Sequence, residues 1–120
     1  MRVLSLLPVL GLCLCLLPSS GCQMERRKSD AELGLNQEQA RGRVIYDRDC
    51  IRCHEPYSRW GTHGPSLKDL YKKSQMPSGM PVNDERLADV ILLGKAKMPA
   101  FGNSLNNRQL HELLAYLKTL

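Results

Sequence analysis

The apolar positions form one dense run near the start of the chain and three stretches of helical spacing further on. Residues 3–17 are apolar apart from Ser5, Pro8 and Gly11, and Arg2 gives the run a positive start. That is shorter than the roughly 20 apolar residues needed to cross a bilayer, and it reads as the core of an export signal. Polar and charged residues then fill 23–33 with little to bury, which predicts a mobile tether. From Leu35 the pattern turns helical. Asn36 with Gln39 makes a capping box, with Leu35 before the cap placed to staple onto Ala40, and predicts a helix over residues 37–49. Gly42, Tyr46 and Cys50 recur every fourth residue and share one face. A glycine inside a helix costs up to about 1 kcal/mol against alanine, and a close helix contact at Gly42 is the physical reason to keep it.

Asn83 is placed to cap a second strong helix through about Leu93, with Leu87, Val90 and Ile91 on one face and Gly94 at its end. Leu105, Asn106 and Gln109 repeat the staple, cap and box for a last helix striped by Leu110, Leu113, Leu114 and Leu117. A shorter helix is expected over 66–73. No segment alternates strictly between turn signals, so no sheet is expected. The fold class is all-α.

Between the first helix and the rest stands Cys50-Ile51-Arg52-Cys53-His54, the C-x-x-C-H attachment signature of a c-type haem. Two thiols at this spacing add to the two vinyl groups of one porphyrin, and the adjacent His54 lies beneath its iron as an axial ligand. Zinc binding and thiol redox chemistry are the competing readings of C-x-x-C. Zinc lacks a second cysteine pair, leaving His63 and His111 to complete four ligands. Thiol redox lacks a βαβ setting. A porphyrin also suits the composition: 42% of the 120 residues are apolar, but there is one Phe and one Trp, a thin supply for a domain of this size without a rigid apolar centre.

The iron needs a ligand opposite His54. Methionine is the usual soft donor in cytochromes c, and Met76, Met80 and Met98 are each followed by proline. Position favours Met98, in the loop before the last helix, with Pro99 stiffening its backbone. Met80 is the alternative, and Met76 and Met80 otherwise read as gap-fillers beside the porphyrin. His63 and His111 are weaker rivals.

The net charge of +5 fits acidic protein partners or an anionic membrane. No basic run interleaved with aromatics is present, so nucleic acid is not an expected partner, and neither is a small-molecule substrate. Lys68, Lys72, Lys73, Lys95 and Lys97 flank segments expected near the haem and are candidates for steering an acidic partner. The end of the leader, Ser20-Gly21-Cys22, resembles a bacterial lipoprotein box, although Ser19 stands where that pattern usually has leucine. The resemblance implies that Cys22 becomes the first mature residue and carries acyl chains, enough to hold it on a membrane. Ordinary cleavage nearby and an uncleaved anchor are the alternatives. The expected organisation is a signal peptide over 1–21, a lipidated Cys22 and tether over 22–34, and a folded domain over 35–120, exported to a bacterial periplasm.

The ordered set Gly42-x-x-x-Tyr46-x-x-x-Cys50-x-x-Cys53-His54, Gly64-Pro65-x-Leu67, Met98-Pro99-x-Phe101 and Leu113-x-x-Tyr116 resembles the class I monohaem cytochromes c. The resemblance implies a cytochrome c fold, with N- and C-terminal helices crossing around one covalently bound haem. It implies that Gly42 and Tyr46 cross Leu113 and Tyr116. It implies that the Pro65 carbonyl accepts the second ring proton of His54, and that Met98 is the distal ligand. Residues 55–63, with Pro56, Tyr57 and Trp60, depart from the short glycine-rich stretch of that family. Two readings of Trp60 stand, haem-edge packing and partner contact, and Arg59 reads as a solvated arginine rather than a propionate partner. The function expected is one-electron transfer as a tethered carrier with redox protein partners. The alternatives are a relay subunit of a dehydrogenase or oxidase complex, and a haem peroxidase or sensor with a labile distal ligand.

Overall fold

A computed structural model describes residues 28–120; the leader, Cys22 and the first part of the tether lie outside the described residues. Among the described residues three α-helices carry the fold: α1 over Gln37–Asp49, α2 over Asp84–Leu93 and α3 over Asn107–Leu117. No strand occurs among the described residues, and two isolated bridges, Gln75 with Pro81 and Lys95 with Met98, pinch loops closed. No helix among them is long and apolar enough to cross a membrane.

Both terminal helices begin with a full capping box. Asn36 Oδ1 accepts from the Gln39 N–H at 2.9 Å while Gln39 Oε1 accepts from the Asn36 N–H at 2.9 Å. Asn106 and Gln109 repeat the exchange at 2.9 and 3.0 Å. Each box satisfies donors that a helix start otherwise leaves open. Helix α2 starts on Asn83 alone, which accepts from the Arg86 N–H. It ends at Gly94, whose φ of +73° only glycine adopts without strain.

Helices α1 and α3 cross at Gly42. A Cβ there would overlap the Glu112 carbonyl and stand 2.9 Å from Tyr116 Cβ. Tyr46 and Tyr116 pack beside the crossing with ring centroids 5.3 Å apart, tilted by 59°. Both are fully buried, as is Leu113. These side chains form one core with Ile45, Leu70, Leu87, Ile91, Leu105, Leu114 and Leu117. Buried Glu112 is neutralised by Arg41 at 2.6 Å.

The helix expected over 66–73 is only a 3₁₀ turn at Leu70–Lys72. Its backbone is claimed from outside: the Leu67 N–H donates to Glu55 O and the Asp69 N–H to Leu120 O, each at 2.8 Å. Asp69 is itself left-handed, with φ +55°, which a helix does not admit. The turn is fastened to the rest by Asp84, which accepts from Tyr71 Oη and from Lys118 Nζ, each at 2.7 Å. The last residues assigned to the tether are also fastened: 30–34 form turns, and Asp30 pairs with Arg43 of α1 at 2.8 Å. Local hydrogen bonds and one ion pair order a segment that has no apolar pattern.

Candidate functional site

The C-x-x-C-H segment continues α1 for one more turn. Tyr46 O accepts from the N–H groups of Cys50 and Ile51 at 2.8 and 3.0 Å, and Cys50 O accepts from those of Cys53 and His54 at 3.1 and 3.0 Å. The three chemical side chains are therefore set by helix geometry. The core then holds the segment from behind: Tyr46 Oη donates to His54 O at 2.7 Å. From the other side, Cys53 O accepts from the Gly64 N–H at 2.7 Å and the Thr62 hydroxyl at 2.8 Å.

The His54 ring is pinned in one orientation. Its Nδ1 lies 2.8 Å from Pro65 O. A carbonyl oxygen only accepts, so in the neutral ring Nδ1 carries the proton and Nε2 keeps its lone pair. That is the protonation state a metal-ligating imidazole needs, with a partner on the other nitrogen fixing the ring. Gly64 lets the chain pass close behind: a Cβ there would stand 2.6 Å from Cε1 and 2.9 Å from Nδ1 of His54.

Cys50 is half-buried, Cys53 is exposed and both thiols are free. Burial, helped by the Asp49 carboxylate, pushes the Cys50 thiol up to about 12. A thiol held protonated at neutral pH is a poor redox nucleophile. Among the described residues no three His, Cys, Asp or Glu side chains converge on one point.

Met98 lies in a tight turn between α2 and α3. The Lys95 N–H donates to Met98 O at 3.1 Å and the Met98 N–H to Lys95 O at 2.9 Å, with Ala96 left-handed at φ +52°. The turn folds back over Gly94, whose missing Cβ leaves room for Met98 O at 2.7 Å. Phe101 and Gly102 then donate to Ile91 O and Leu92 O at the end of α2, each at 3.0 Å. The Met98 side chain is half-buried against the core. Met76 is similarly packed, whereas Met80 is 38% exposed and its carbonyl is taken by the Met76 N–H. His63 and His111 are both exposed.

The residues fit a haem. Leu67, Tyr71, Met76, Val82, Met98 and Phe101 pack on the core yet stay half open to solvent, as apolar side chains do when a further apolar group completes their burial. The donor set agrees: paired thiols and an imidazole with its Nε2 lone pair free. Sequence reasoning missed the Tyr46 hydroxyl, the Thr62 hydroxyl and the backing role of Gly64. Only the glycine left a trace, since a Gly-Pro step marks a turn without saying what it passes behind.

An all-α domain whose first helix runs into such a segment defines a c-type cytochrome. Residues 37–117 match the family described as cytochrome C oxidase, cbb3-type, subunit III, and the chain belongs to that family. No curated protein and no solved structure matches it significantly. The chain thus carries covalently bound haem c with its iron and exchanges electrons with redox protein partners.

Proposed function

We propose that the chain is a membrane-tethered one-electron carrier with His/Met axial ligation, working in an exported electron-transport chain. Cys50 and Cys53 hold the haem through thioether bonds, and His54 and Met98 are its axial ligands. Residues 1–21 are a signal peptide, Cys22 is acylated, 22–34 tether the domain, and 35–120 fold, in a bacterial periplasm. When bound, the haem supplies a ferric/ferrous couple. The chain's own residues keep the site rigid: Pro65 and Gly64 fix the His54 ring, Tyr46 holds its backbone, and the turn from Lys95 fixes Met98. Rigid ligands keep reorganisation small as charge changes. The basic residues favour a partner with an acidic surface.

The observation that carries this reading is the His54 ring, fastened at Nδ1 to the Pro65 carbonyl with Nε2 left free to bind a metal. Mass spectrometry of the protein purified from its host tests it in one digest. One peptide spanning Cys50 to Cys53 must carry one haem, and an acylated N-terminal peptide must begin at Cys22. A haem-free peptide removes the reading; an unacylated N-terminus removes only the tether.

The family description favours a second reading, a fixed relay subunit of a terminal oxidase. It shares the carrier's chemistry and differs in having a permanent partner. Stoichiometric co-purification with catalytic subunits through gel filtration distinguishes it from a shuttle.

A further inference from the structure

Trp60 is 83% exposed. A side chain of this size contributes most when buried, and tryptophan and arginine dominate the energetics of protein interfaces. Trp60 does not stand on a loose loop. Its N–H donates to Ser58 Oγ at 3.2 Å, Ser66 Oγ donates to Ser58 O, and the Thr62 hydroxyl holds Cys53 O. The loop is thereby fastened to the haem-bearing segment, and the tryptophan is presented to solvent by a fixed backbone.

Its sequence neighbour Arg59 lines a cavity of about 380 Å³ together with Ser66, Lys68, Asp69, Lys72 and Lys73. Four cations face one carboxylate. Two of the cations are fixed in place: Lys72 Nζ donates to Asp69 Oδ1 at 2.7 Å and Lys73 Nζ to Ser66 O at 2.9 Å. The Asp69 carboxyl is held below the usual carboxylate range by that Lys72 hydrogen bond and further by the fields of Lys72, Lys68 and Arg59. The cations therefore act on one shared space.

We propose that Trp60 and this basic cavity form the docking surface for the redox partner, with Trp60 as the apolar anchor and the cavity receiving partner carboxylates. The proposal rests on the acidic-partner reading and says where on this chain that partner binds. A protein fits better than a lipid surface. Four cations and one carboxylate line one cavity, and the loop that presents Trp60 is bonded through Thr62 to Cys53 of the haem-bearing segment. A partner seated here lies against the loop bonded to Cys53, so docking brings it onto the electron-carrying segment. An aromatic anchor that is desolvated on docking, with charged contacts elsewhere on the same surface, is the usual energetic pattern of a protein interface.

The test uses the full-length haem-loaded chain and the membrane fraction of its host as the source of partner. Stopped-flow absorbance follows electron exchange for wild type, Trp60→Ala and Arg59→Glu, both exposed positions. The wild-type rate should fall as salt rises. Trp60→Ala should lower the bimolecular rate by about tenfold without changing the rate of reduction by ascorbate. Arg59→Glu should lower it by about threefold or more at low salt and flatten the salt dependence. Full rates in either variant overturn the joint surface. Loss of binding to phosphatidylglycerol vesicles with electron exchange intact assigns the surface to lipid and equally overturns the proposal. A wild-type rate indifferent to salt removes the acidic-partner reading itself. A salt dependence that survives in both variants removes only this location.

Discussion

Replacing Gly42 by alanine adds one methyl group where α1 and α3 touch. That methyl would lie 2.6 Å from the Glu112 carbonyl carbon and 2.9 Å from Tyr116 Cβ. Neither atom belongs to a flexible side-chain end. Restoring ordinary carbon–carbon contact requires the helices to part by about 1 Å, and a gap of that size forfeits a quarter to a half of each contact's attraction. Tyr46, Leu113 and Tyr116 share the crossing and lose contact together. Overpacking of this kind costs about 1–3 kcal/mol, and a backbone obstacle belongs at the upper end. Alanine's better helix propensity returns up to about 1 kcal/mol. The net expectation is a loss of about 2 kcal/mol, equivalent to a melting temperature about 10 °C lower for a domain of this size. Thermal unfolding of the haem-loaded protein by far-ultraviolet circular dichroism measures it. Val44→Ala on the same helix, where Val44 is 65% exposed, is the control and should move stability by no more than about 0.5 kcal/mol. A Gly42→Ala protein melting at or above wild type would show that propensity outweighs the crossing and that the contact is not tight.

Three other changes probe the support of the site. Tyr46→Phe removes the hydroxyl that donates to His54 O at 2.7 Å and leaves that carbonyl without its side-chain donor, for a loss of about 1–2 kcal/mol; chemical denaturation checks it, and an unchanged midpoint contradicts it. Gly64→Ala drives a methyl into the His54 ring, so the ring must turn away from Pro65; the haem absorption spectrum and reduction potential should change while helix content does not. Asp84 is held below the usual carboxylate range by hydrogen bonds from Lys118 and then Tyr71. Its folded value is the lower one, so its contribution is complete above the ordinary carboxylate range and is lost as pH falls through the depressed value. Asp84→Asn should lower stability at neutral pH by no more than about 1 kcal/mol, as exposed pairs do, and the difference from wild type should close on acidification; a difference independent of pH refutes the pairing.

The helices were legible because their signals are local. Asn36 with Gln39 and Asn106 with Gln109 announce two helix starts within four residues each, and the spacing of Gly42, Tyr46 and Cys50 announces the buried face. The stretch from 55 to 82 was not legible in the same way. Its order comes from backbone groups that bond distant carbonyls, as Leu67 does with Glu55 and Asp69 with Leu120, and such pairings leave no periodic trace. The expected helix over 66–73 failed there for that reason. Tyr57 shows the same limit at a side chain: its hydroxyl meets that of Tyr116 at 2.9 Å across 59 positions, which neither neighbourhood hints at.

The most direct measurement is the absorption spectrum of the ferric, haem-loaded protein at neutral pH, wild type beside Met98→Ala and Met80→Ala. With Met98 as distal ligand, a methionine-to-iron band is expected in wild type and in Met80→Ala, and its loss in Met98→Ala with the haem still covalently attached. A band that persists in Met98→Ala and disappears in Met80→Ala contradicts the proposed ligand pair and moves the distal ligand to the 75–81 loop.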